Sequence, residues 1–329
     1  MNKIIKAEHL SLHYSPKTDL LQKQKKIVRA VNDINLSIFE GESLGLVGES
    51  GCGKSTLGKT LIRFYKPTSG DIYYYPKEKQ KDKPVNIAYM SNYKLKNSGI
   101  RQKFQMLLQD HSSAMNPRLS IFKIIKEAVR ANPKPSELSM QEEVLSCLNQ
   151  VGLNETHIYR YPHEFSGGQR QRICIARTLA MKPEFIVLDE PTSALDVSVQ
   201  AQILLLLNDI RIKNRITFLF ITHNLLVLKY VCTRVAVMYL GKIVEIMDVK
   251  SLFNNAKHPY TKILINCVPD LDTDHKLETP EGEIPNPSDL PKGCGFNQRC
   301  PHAREKCFEQ SPSLNKISDD HWVSCHHLT

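Results

Sequence analysis

The sequence predicts an α/β fold in which a mostly parallel sheet is flanked by helices. Three apolar segments have strand character and end at glycine or polar residues: "SLGLVG", "FIVLD" and "FLFITHN". The first is followed by a glycine-rich turn and by "KSTLGKTLIRF", whose apolar residues recur at helical spacing. Open α/β sheets bind ligands at the carboxyl ends of their strands. The residues that follow these segments are therefore the candidate site.

The composition indicates one large domain with an appendage, because 329 residues exceed what one hydrophobic core usually serves. The 41% hydrophobic and 24% charged residues are typical of a globular protein. The longest apolar run, "ILLLLNDI", is interrupted by Asn208 and Asp209 and is too short to cross a bilayer. The start, "MNKIIKAEHLSLHYS", lacks an apolar signal core, so we expect a cytoplasmic chain. Its 9 cysteines are then expected to be thiols or metal ligands.

The formal charge of +10 is compatible with a nucleic acid or an anionic membrane as partner. Much of that charge lies in "KTDLLQKQKK" and "PKEKQKDKP", which contain no interleaved aromatic residues. Such runs are usually solvated loops. The charge alone therefore predicts no nucleic-acid partner.

A phosphate-binding loop follows the first strand. Residues 48–55 fit G-x-x-x-x-G-K-[ST] between a strand and a helix, the context that this motif requires. Lys54 would reach the β- and γ-phosphates, and the Ser55 hydroxyl would ligate Mg²⁺. The predicted nucleotide-binding residues here are Gly48, Glu49, Ser50, Gly51, Cys52, Gly53, Lys54, Ser55 and Thr56.

Two carboxylates end the second strand, in "PEFIVLDEPTSALD". Asp189 is placed to hold Mg²⁺, directly or through water. Glu190 is placed to polarise a water molecule against the γ-phosphate as a general base. Adjacent acids can also merely cap a helix, but the phosphate loop makes the catalytic role the better hypothesis.

A second glycine motif narrows the class of nucleotide enzyme. Ser166, Gly167, Gly168 and Gln169 open a helix in "YPHEFSGGQRQRICIARTLAM". They resemble the LSGGQ signature of ATP-binding cassette (ABC) ATPases, with Phe165 where leucine is commoner. The resemblance implies that this motif faces the phosphate loop of a second subunit, so that two ATP molecules lie between two cassettes.

The resemblance to ABC ATPases extends to four further positions. Gln109 in "LLQDHSSAMNPRLS" matches the glutamine that senses the γ-phosphate, contributes to the Mg²⁺ site and touches the membrane subunit. Asp196 in "SALD" matches the loop that communicates across the dimer, and His223 matches the switch histidine. Tyr14 stands roughly where an aromatic ring stacks on adenine, although packing on a sheet explains a lone tyrosine equally well.

The implied fold is the P-loop NTPase fold of an ABC cassette, with a RecA-like parallel sheet core. An antiparallel β subdomain is expected around residues 4–45 and 70–95, and a helical subdomain at about 110–180. Within the latter, Val144, Leu145, Leu148 and Val151 recur at helical spacing and are expected to pack in its core. The cassette would span 1–255, followed by a small Cys-rich extension at 256–329.

The C-terminal extension resembles that of the ATP-binding subunits of bacterial oligopeptide and dipeptide permeases. The matching pieces are the His258-Pro259-Tyr260 triplet and the Gly-x-x-Pro-x-Pro run at 282–287. The resemblance implies an F-type ATPase subunit of a peptide importer, paired with a related second ATPase, two transmembrane permease subunits and an external peptide-binding protein. The chain would dock at the cytoplasmic face of the membrane. His111, where proline is usual, and the lysine-rich insert at 17–26 depart from the pattern.

Two other functions remain open at this point. A transporter of the same subfamily could carry a metal chelate or another small solute, since the sequence on this side of the membrane does not specify the cargo. A soluble ABC ATPase acting on nucleic acid or ribosomes is a remote alternative. It typically has a large coiled-coil insert or a second cassette, and this sequence indicates neither.

Four cysteines in the extension predict a metal site. Cys294, Cys300, Cys307 and Cys325 are separated by five, six and seventeen residues, wider than common zinc knuckles. Four thiolates suit a [4Fe–4S] cluster or a structural Zn²⁺, and the permease resemblance favours the cluster. The neighbouring His302, His326 and His327 keep zinc open, and unligated thiols are the third possibility. We expect metal ligation to stabilise a proline-rich tail too short to form its own core.

Overall fold

The structure is a computed structural model that describes residues 2–15, 27–77, 83–108, 115–132, 138–268 and 285–328. Within these ranges the chain forms twelve strands and eleven α-helices. The strands are β1 (Lys3–Tyr14), β2 (Val28–Phe39), β3 (Ser43–Val47), β4 (Ser69–Tyr74), β5 (Val85–Asn86), β6 (Phe104–Leu107), β7 (Phe185–Asp189), β8 (Thr217–Ile221), β9 (Arg234–Tyr239), β10 (Lys242–Asp248), β11 (Asn315–Ser318) and β12 (His321–Val323).

The helices alternate with these strands over much of the chain. They are α1 (Lys54–Leu61), α2 (Asn92–Asn97), α3 (Ile100–Lys103), α4 (Ile121–Ala131), α5 (Met140–Gln150), α6 (Gly167–Leu179), α7 (Val197–Asn214), α8 (Leu225–Val231), α9 (Leu252–Asn255), α10 (Pro259–Asn266) and α11 (Glu305–Glu309). Among the residues that the structure places, no helix has both the length and the apolar character needed to span a membrane.

The chain divides into two compact units. The first comprises Asn2, Phe39–Gly41 and Met90–Phe220. Its strands are ordered β8-β7-β6, with β6 and β7 parallel. All five residues of β7 are buried. A strand covered on both faces reads as a continuous apolar run, which explains why "FIVLD" shows no alternation.

The helical part of the first unit confirms the predicted helical segment. Ser139 begins α5 with a capping box, in which its side chain accepts from the Glu142 N–H and the Glu142 carboxylate accepts from the Ser139 N–H. Val144, Leu148 and Val151 are fully buried. Leu145 is half-buried at the edge of the same face.

The second unit comprises Lys3–Ile38, Glu42–Tyr89 and the chain from Ile221 onward. One of its sheets is ordered β2-β1-β4-β5, and β1 pairs antiparallel with β4, as β4 does with β5. The predicted antiparallel region is confirmed, with two differences at its limits. Residues 43–45 belong to β3, which runs parallel to β9, and residues 92–95 begin α2 instead of continuing a strand.

The other sheet of the second unit has the strand order β11-β12-β10-β9-β3. A tight turn joins β9 to β10 as an antiparallel hairpin. The C-terminal strand β12 pairs antiparallel with β10, through Glu245–Val323 and Ile246–Trp322. The tail, residues 285–328, therefore adds strands to this sheet.

Aromatic packing also holds the tail in place. Phe296 is 2% exposed, and its ring centroid lies 5.2 Å from that of Tyr239 and 5.4 Å from that of Tyr260. Burial of an aromatic side chain contributes about 1.5–3 kcal/mol. The expectation that the tail depends on metal for its folding thus misses two contributions that need no metal, the Phe296 contacts and the β12 pairing.

Candidate functional site

The phosphate loop lies between β3 and α1, as predicted. Gly53 has φ +108° and is the N-terminal cap residue of α1, with no side-chain cap. A Cβ at Gly53 would collide with the Ala30 carbonyl oxygen, and one at Gly48 with the Met238 carbonyl oxygen. Only glycine combines this backbone conformation with such close approach. The arrangement leaves the start of α1, with its partial positive charge, available to an anion.

Lys54 lies inside the loop and is 7% exposed. Its ammonium donates to the carbonyl oxygens of Gly48, at 2.6 Å, and of Glu49, at 2.9 Å. These bonds position the charge against the loop backbone. Cys52 is also buried, and burial is the main cause of the raised pKa of its thiol. The buried thiol is protonated and packs inside the loop; the predicted contact of Cys52 with the nucleotide stays a prediction.

Tyr14 ends β1 beside the first turn of α1. Its hydroxyl forms a side-chain hydrogen bond with Thr56, and burial is the main cause of its raised pKa. The Tyr65 ring lies edge-on, with 6.2 Å between ring centroids, and Tyr14 remains 41% exposed. An exposed aromatic ring next to the phosphate loop suits adenine stacking, which stays a prediction.

His223 is exposed and lies just after β8. The preceding Thr222 donates its N–H to the Leu46 carbonyl oxygen at 3.2 Å, which ties this segment to the strand that leads into the phosphate loop. The following Asn224 caps α8 by accepting from the Leu226 N–H. Strand and cap therefore fix the backbone on both sides of His223.

Asp189 and Glu190 lie at the carboxyl end of β7. Asp189 is 6% exposed, whereas Glu190 is half-buried and has φ +47°. A left-handed conformation is unusual for a residue other than glycine and is enriched at functional sites. Gln171 of α6 donates to the Pro191 carbonyl oxygen at 2.8 Å and holds the chain that follows the acids.

The signature residues form the exposed start of α6. The Ser166 hydroxyl accepts from the Gln169 N–H at 3.3 Å, and Gln169 Oε1 accepts from the Ser166 N–H at 3.1 Å. A Cβ on Gly168 would lie 2.5 Å from Cγ1 of Val199, so this glycine also permits close packing on α7. Phe165 is buried against His157, with ring centroids 5.5 Å apart, and fills the position where leucine is commoner.

Asp196 is the N-terminal cap residue of α7. Its carboxylate accepts from the Val199 N–H at 2.9 Å and from the Ser198 hydroxyl at 2.8 Å. The hydrogen bond from the Val199 backbone is the main cause of its lowered pKa. The role in communication between subunits stays a prediction. Gln109 and His111, the insert at 17–26 and Gly282 lie outside the described residues.

A cavity of about 500 Å³ lies in the first unit beside the end of β6. It is lined mainly by residues of β6, α4 and α6 and of the positions just after them. The apolar side chains include Leu107, Leu108, Ala128 and Met181, and the charged ones are Glu127 and Arg177. Leu108 is 43% exposed. An apolar depression with a few charged groups is typical of a site for a partner segment.

The four cysteines of the tail lie within electrostatic range of one another. The pKa of the Cys294 thiol is raised to about 11, mainly by burial and to a smaller extent by Cys307, Cys325 and Cys300. The Cys325 sulfur accepts from the His327 N–H at 3.4 Å. In the part of the chain that the structure describes, no three His, Cys, Asp or Glu side chains form a group that could hold a metal ion. The predicted metal site therefore stays a prediction.

A contact that the sequence did not predict joins the tail to the phosphate loop. The guanidinium of Arg299 donates to both carboxylate oxygens of Glu49, each at 2.8 Å. The Glu49 N–H donates to the Tyr260 hydroxyl oxygen at 2.9 Å. Glu49, the second residue of the loop, is thus held by Tyr260 and Arg299, which lie 211 and 250 residues away in the sequence.

Tyr260 is positioned by a buried polar network. Glu245 is fully buried, and its carboxylate accepts from the backbone N–H groups of Lys257 and His258. Nε2 of His321 lies 2.7 Å from Oε1 of the same carboxylate. His258 Nδ1 accepts from the Tyr260 N–H and caps α10. Burial lowers the pKa of His258 to about 3, so the imidazole remains the neutral acceptor that this cap requires.

Comparison with known proteins identifies two regions. Residues 31–193 match the family model described as "ABC transporter", and residues 244–307 match "Oligopeptide/dipeptide transporter, C-terminal region". The chain is 41% identical over 327 residues to the oligopeptide transport ATP-binding protein AppF of Bacillus subtilis, covering 98% of this chain and 97% of the relative. It is 40% identical to the dipeptide transport ATP-binding protein DppF of Haemophilus influenzae, covering 99% and 97% respectively.

Solved structures show the same cassette fold. The ATP-binding cassette MJ0796, in a dimeric post-hydrolysis state bound to ADP and Pi, has a TM-score of 0.62 and 26% identity and covers 75% of this chain and 99% of its own. The cbiO1 protein from Clostridium perfringens, part of the transporter complex cbiONQ, has a TM-score of 0.64 and 27% identity. It covers 78% of this chain and 92% of its own.

Proposed function

Because this chain belongs to the ATP-binding proteins of the oligopeptide and dipeptide ABC transporters, we propose that it binds and hydrolyses ATP to drive peptide import. The observation that carries the proposal is the formed phosphate loop, with Lys54 held in it, on a chain whose residues 244–307 match the transporter C-terminal region. The chain would act at the cytoplasmic face of the membrane, together with permease subunits.

The predicted site residues suit the steps of ATP hydrolysis. Lys54 would bind the β- and γ-phosphates, and Glu190 would take a proton from the attacking water. His223 and Gln109 would contact the γ-phosphate, and Tyr14 the adenine. Bound Mg²⁺ would neutralise phosphate charge, and the oxygen donors of Ser55 and Asp189 are the ligand type that Mg²⁺ prefers.

We further propose that the site is completed by a second cassette. Ser166 and Gly167 are exposed at the start of α6. Helix starts of this kind bind anions, so this one is available to a phosphate group of a nucleotide held by another chain. Asp196 is exposed at the adjacent start of α7. These residues would act on the ATP held by the partner, which is expected to be a related chain rather than a second copy.

The cavity of the first unit is the proposed contact with a permease subunit. Most of its lining comes from β6, α4 and α6, and the lining also includes Leu108, which directly precedes Gln109 in the sequence. A short apolar helix of a permease subunit would cover the exposed Leu108 there. Closure of two cassettes around ATP would then move the permease subunits between their inward- and outward-facing states.

Uptake into vesicles tests the function directly. The transporter is reconstituted from this chain, its partner ATPase, two permease subunits and the peptide-binding protein, and labelled tripeptide is supplied outside with ATP inside. We expect ATP-dependent accumulation that unlabelled peptides inhibit by competition. Competition by a nickel or iron chelate, with no effect of peptides, would instead support the alternative cargo.

For the tail, we propose that Cys294, Cys300, Cys307 and Cys325 bind a [4Fe–4S] cluster, with Zn²⁺ as the alternative. The supporting observations are the mutual electrostatic range of the four thiols and the N–H donor at the Cys325 sulfur. Such hydrogen bonds to sulfur tune protein-bound clusters. Four thiolates with no other ligand are also the usual donor set for this cluster.

Protein purified without oxygen should distinguish the two metals. We expect a brown protein with about four irons per chain, as the cluster stoichiometry requires. Cys300→Ser should lose the iron, whereas Cys267→Ser, which changes an exposed cysteine outside the set, should retain it. Colourless protein with one zinc per chain, or with no metal, would contradict the cluster.

A further inference from the structure

We propose that Arg299 and Tyr260, which lie beyond the matched cassette region, are positioning residues for ATP binding, because they hold the phosphate loop through Glu49. This inference rests on the proposed function, in which the loop binds ATP. Neither residue is expected to touch the nucleotide. Their effect would be to prepare the loop before the nucleotide arrives.

The first step concerns charge. Glu49 is an acidic side chain inside a loop whose ligand carries several negative charges. The pairing with Arg299 is bidentate, and the Arg299 and Glu49 side chains are only 4% and 19% exposed. Bidentate pairs of this kind are strong and directional. The guanidinium thus neutralises a carboxylate that would otherwise repel the phosphates.

The second step concerns the backbone. The carbonyl oxygens of Gly48 and Glu49 accept hydrogen bonds from the Lys54 ammonium. The Glu49 N–H donates to the Tyr260 hydroxyl oxygen. An N–H in a partly buried position is costly to leave without an acceptor. Tyr260 therefore restricts the loop to one conformation, and a preformed loop binds ATP more tightly because less order is lost on binding.

The third step concerns what holds these two side chains. Tyr260 sits on α10, whose first turn is fixed by His258 and the buried Glu245. Arg299 lies between Cys294 and Cys300 and also donates to the Tyr239 hydroxyl at 3.3 Å. The folded tail and the phosphate loop are thus linked by direct contacts. Thermodynamic linkage requires that ATP binding stabilise the tail if the tail favours ATP binding.

Equilibrium titration of Mg-ATP tests the charge step. We expect Arg299→Gln to raise the Kd about tenfold, because an unpaired Glu49 carboxylate then faces the phosphates. Adding Glu49→Gln to the same chain removes that carboxylate, so the Kd should return to within about threefold of the wild-type value. A merely structural role for Arg299 predicts no such rescue.

The backbone step is tested with Tyr260→Phe, which keeps the ring that packs on Tyr239 and Phe296. We expect the Kd and KM for ATP to rise about fivefold with kcat nearly unchanged, since the chemistry is untouched. Arg234→Gln is the control for Arg299→Gln. It breaks a comparable Arg–Glu pair, with Glu42, at the end of β3 that lies away from the phosphate loop. It should lower the melting temperature and leave the Kd unchanged.

Amide hydrogen exchange gives a readout that does not depend on turnover. Saturating Mg-ATP should slow exchange in segment 293–300 of the wild-type chain and have little effect there in Arg299→Gln. A Kd within twofold of wild type in both Tyr260→Phe and Arg299→Gln would overturn the inference. If Arg299→Gln does not fold, Tyr260→Phe decides alone. A wild-type chain that binds no ATP would instead contradict the proposed function.

Discussion

Lys54→Ala should weaken ATP binding by at least about a hundredfold. The ammonium is buried in the loop and already aligned by two carbonyl oxygens. Loss of a charge-assisted hydrogen bond to phosphate costs about 3 kcal/mol, and each 1.4 kcal/mol is a tenfold change. Titration with a fluorescent ATP analogue measures the change, and peptide uptake by the reconstituted transporter should be lost in parallel.

A control on the same helix separates charge from position. Lys59→Ala removes a half-buried lysine from the last turn of α1 and should leave the Kd unchanged. Because Lys54→Ala leaves two carbonyl oxygens without their donor, its melting temperature must be measured as well. A folded Lys54→Ala chain with a wild-type Kd would remove Lys54 from the ATP site.

Glu190→Gln should lower ATP hydrolysis by roughly 10²–10⁴-fold, the usual effect of losing a general base. ATP affinity should be unaffected, since glutamine keeps the size and shape of the side chain. With hydrolysis blocked, the complex should accumulate in an ATP-bound state with its two cassettes closed. Single-turnover hydrolysis, together with size-exclusion chromatography in ATP, measures both effects.

Asp209→Asn is the matched control, since it neutralises an exposed carboxylate on α7 of the same unit. It should hydrolyse ATP at the wild-type rate. Wild-type turnover in Glu190→Gln would exclude Glu190 as the base. A large loss of ATP affinity would instead indicate that Glu190 supports the loop or the metal site.

Local sequence patterns predicted the parts of the site that depend on local chemistry. Glycines at fixed spacing between a strand and a helix determine the phosphate loop, and the structure confirms its position before α1. The two acids at the carboxyl end of β7 and the capped start of α6 follow from similarly short patterns. Each of these features is encoded within about ten consecutive residues.

Contacts between distant segments were not predictable in this way. Glu49 was expected to belong to the loop, but no periodicity indicates that Arg299 would pair with it across 250 residues of sequence. The His258-Pro259-Tyr260 triplet resembles a family feature, but the sequence alone indicates no physical role for it. Its role in the structure is clear: His258 caps α10, and Tyr260 reaches the loop.

The tail shows the same limit of sequence patterns. Its cysteine spacing predicted a metal site, whereas the three-residue strand β12 and the burial of Phe296 carry too little local signal to be predicted. Short strands depend on the edge they join, here β10, more than on their own residues. The tail is therefore packed within the second unit more extensively than its composition indicates.

The central claim is that ATP hydrolysis by this chain is coupled to peptide delivery. The most direct measurement compares ATP hydrolysis by the reconstituted transporter with peptide-loaded and with peptide-free binding protein. We expect peptide-loaded binding protein to stimulate hydrolysis several-fold, and Lys54→Ala to abolish the stimulation. Equal hydrolysis rates under the two conditions, in a wild-type complex that binds both ATP and the binding protein, would contradict the claim.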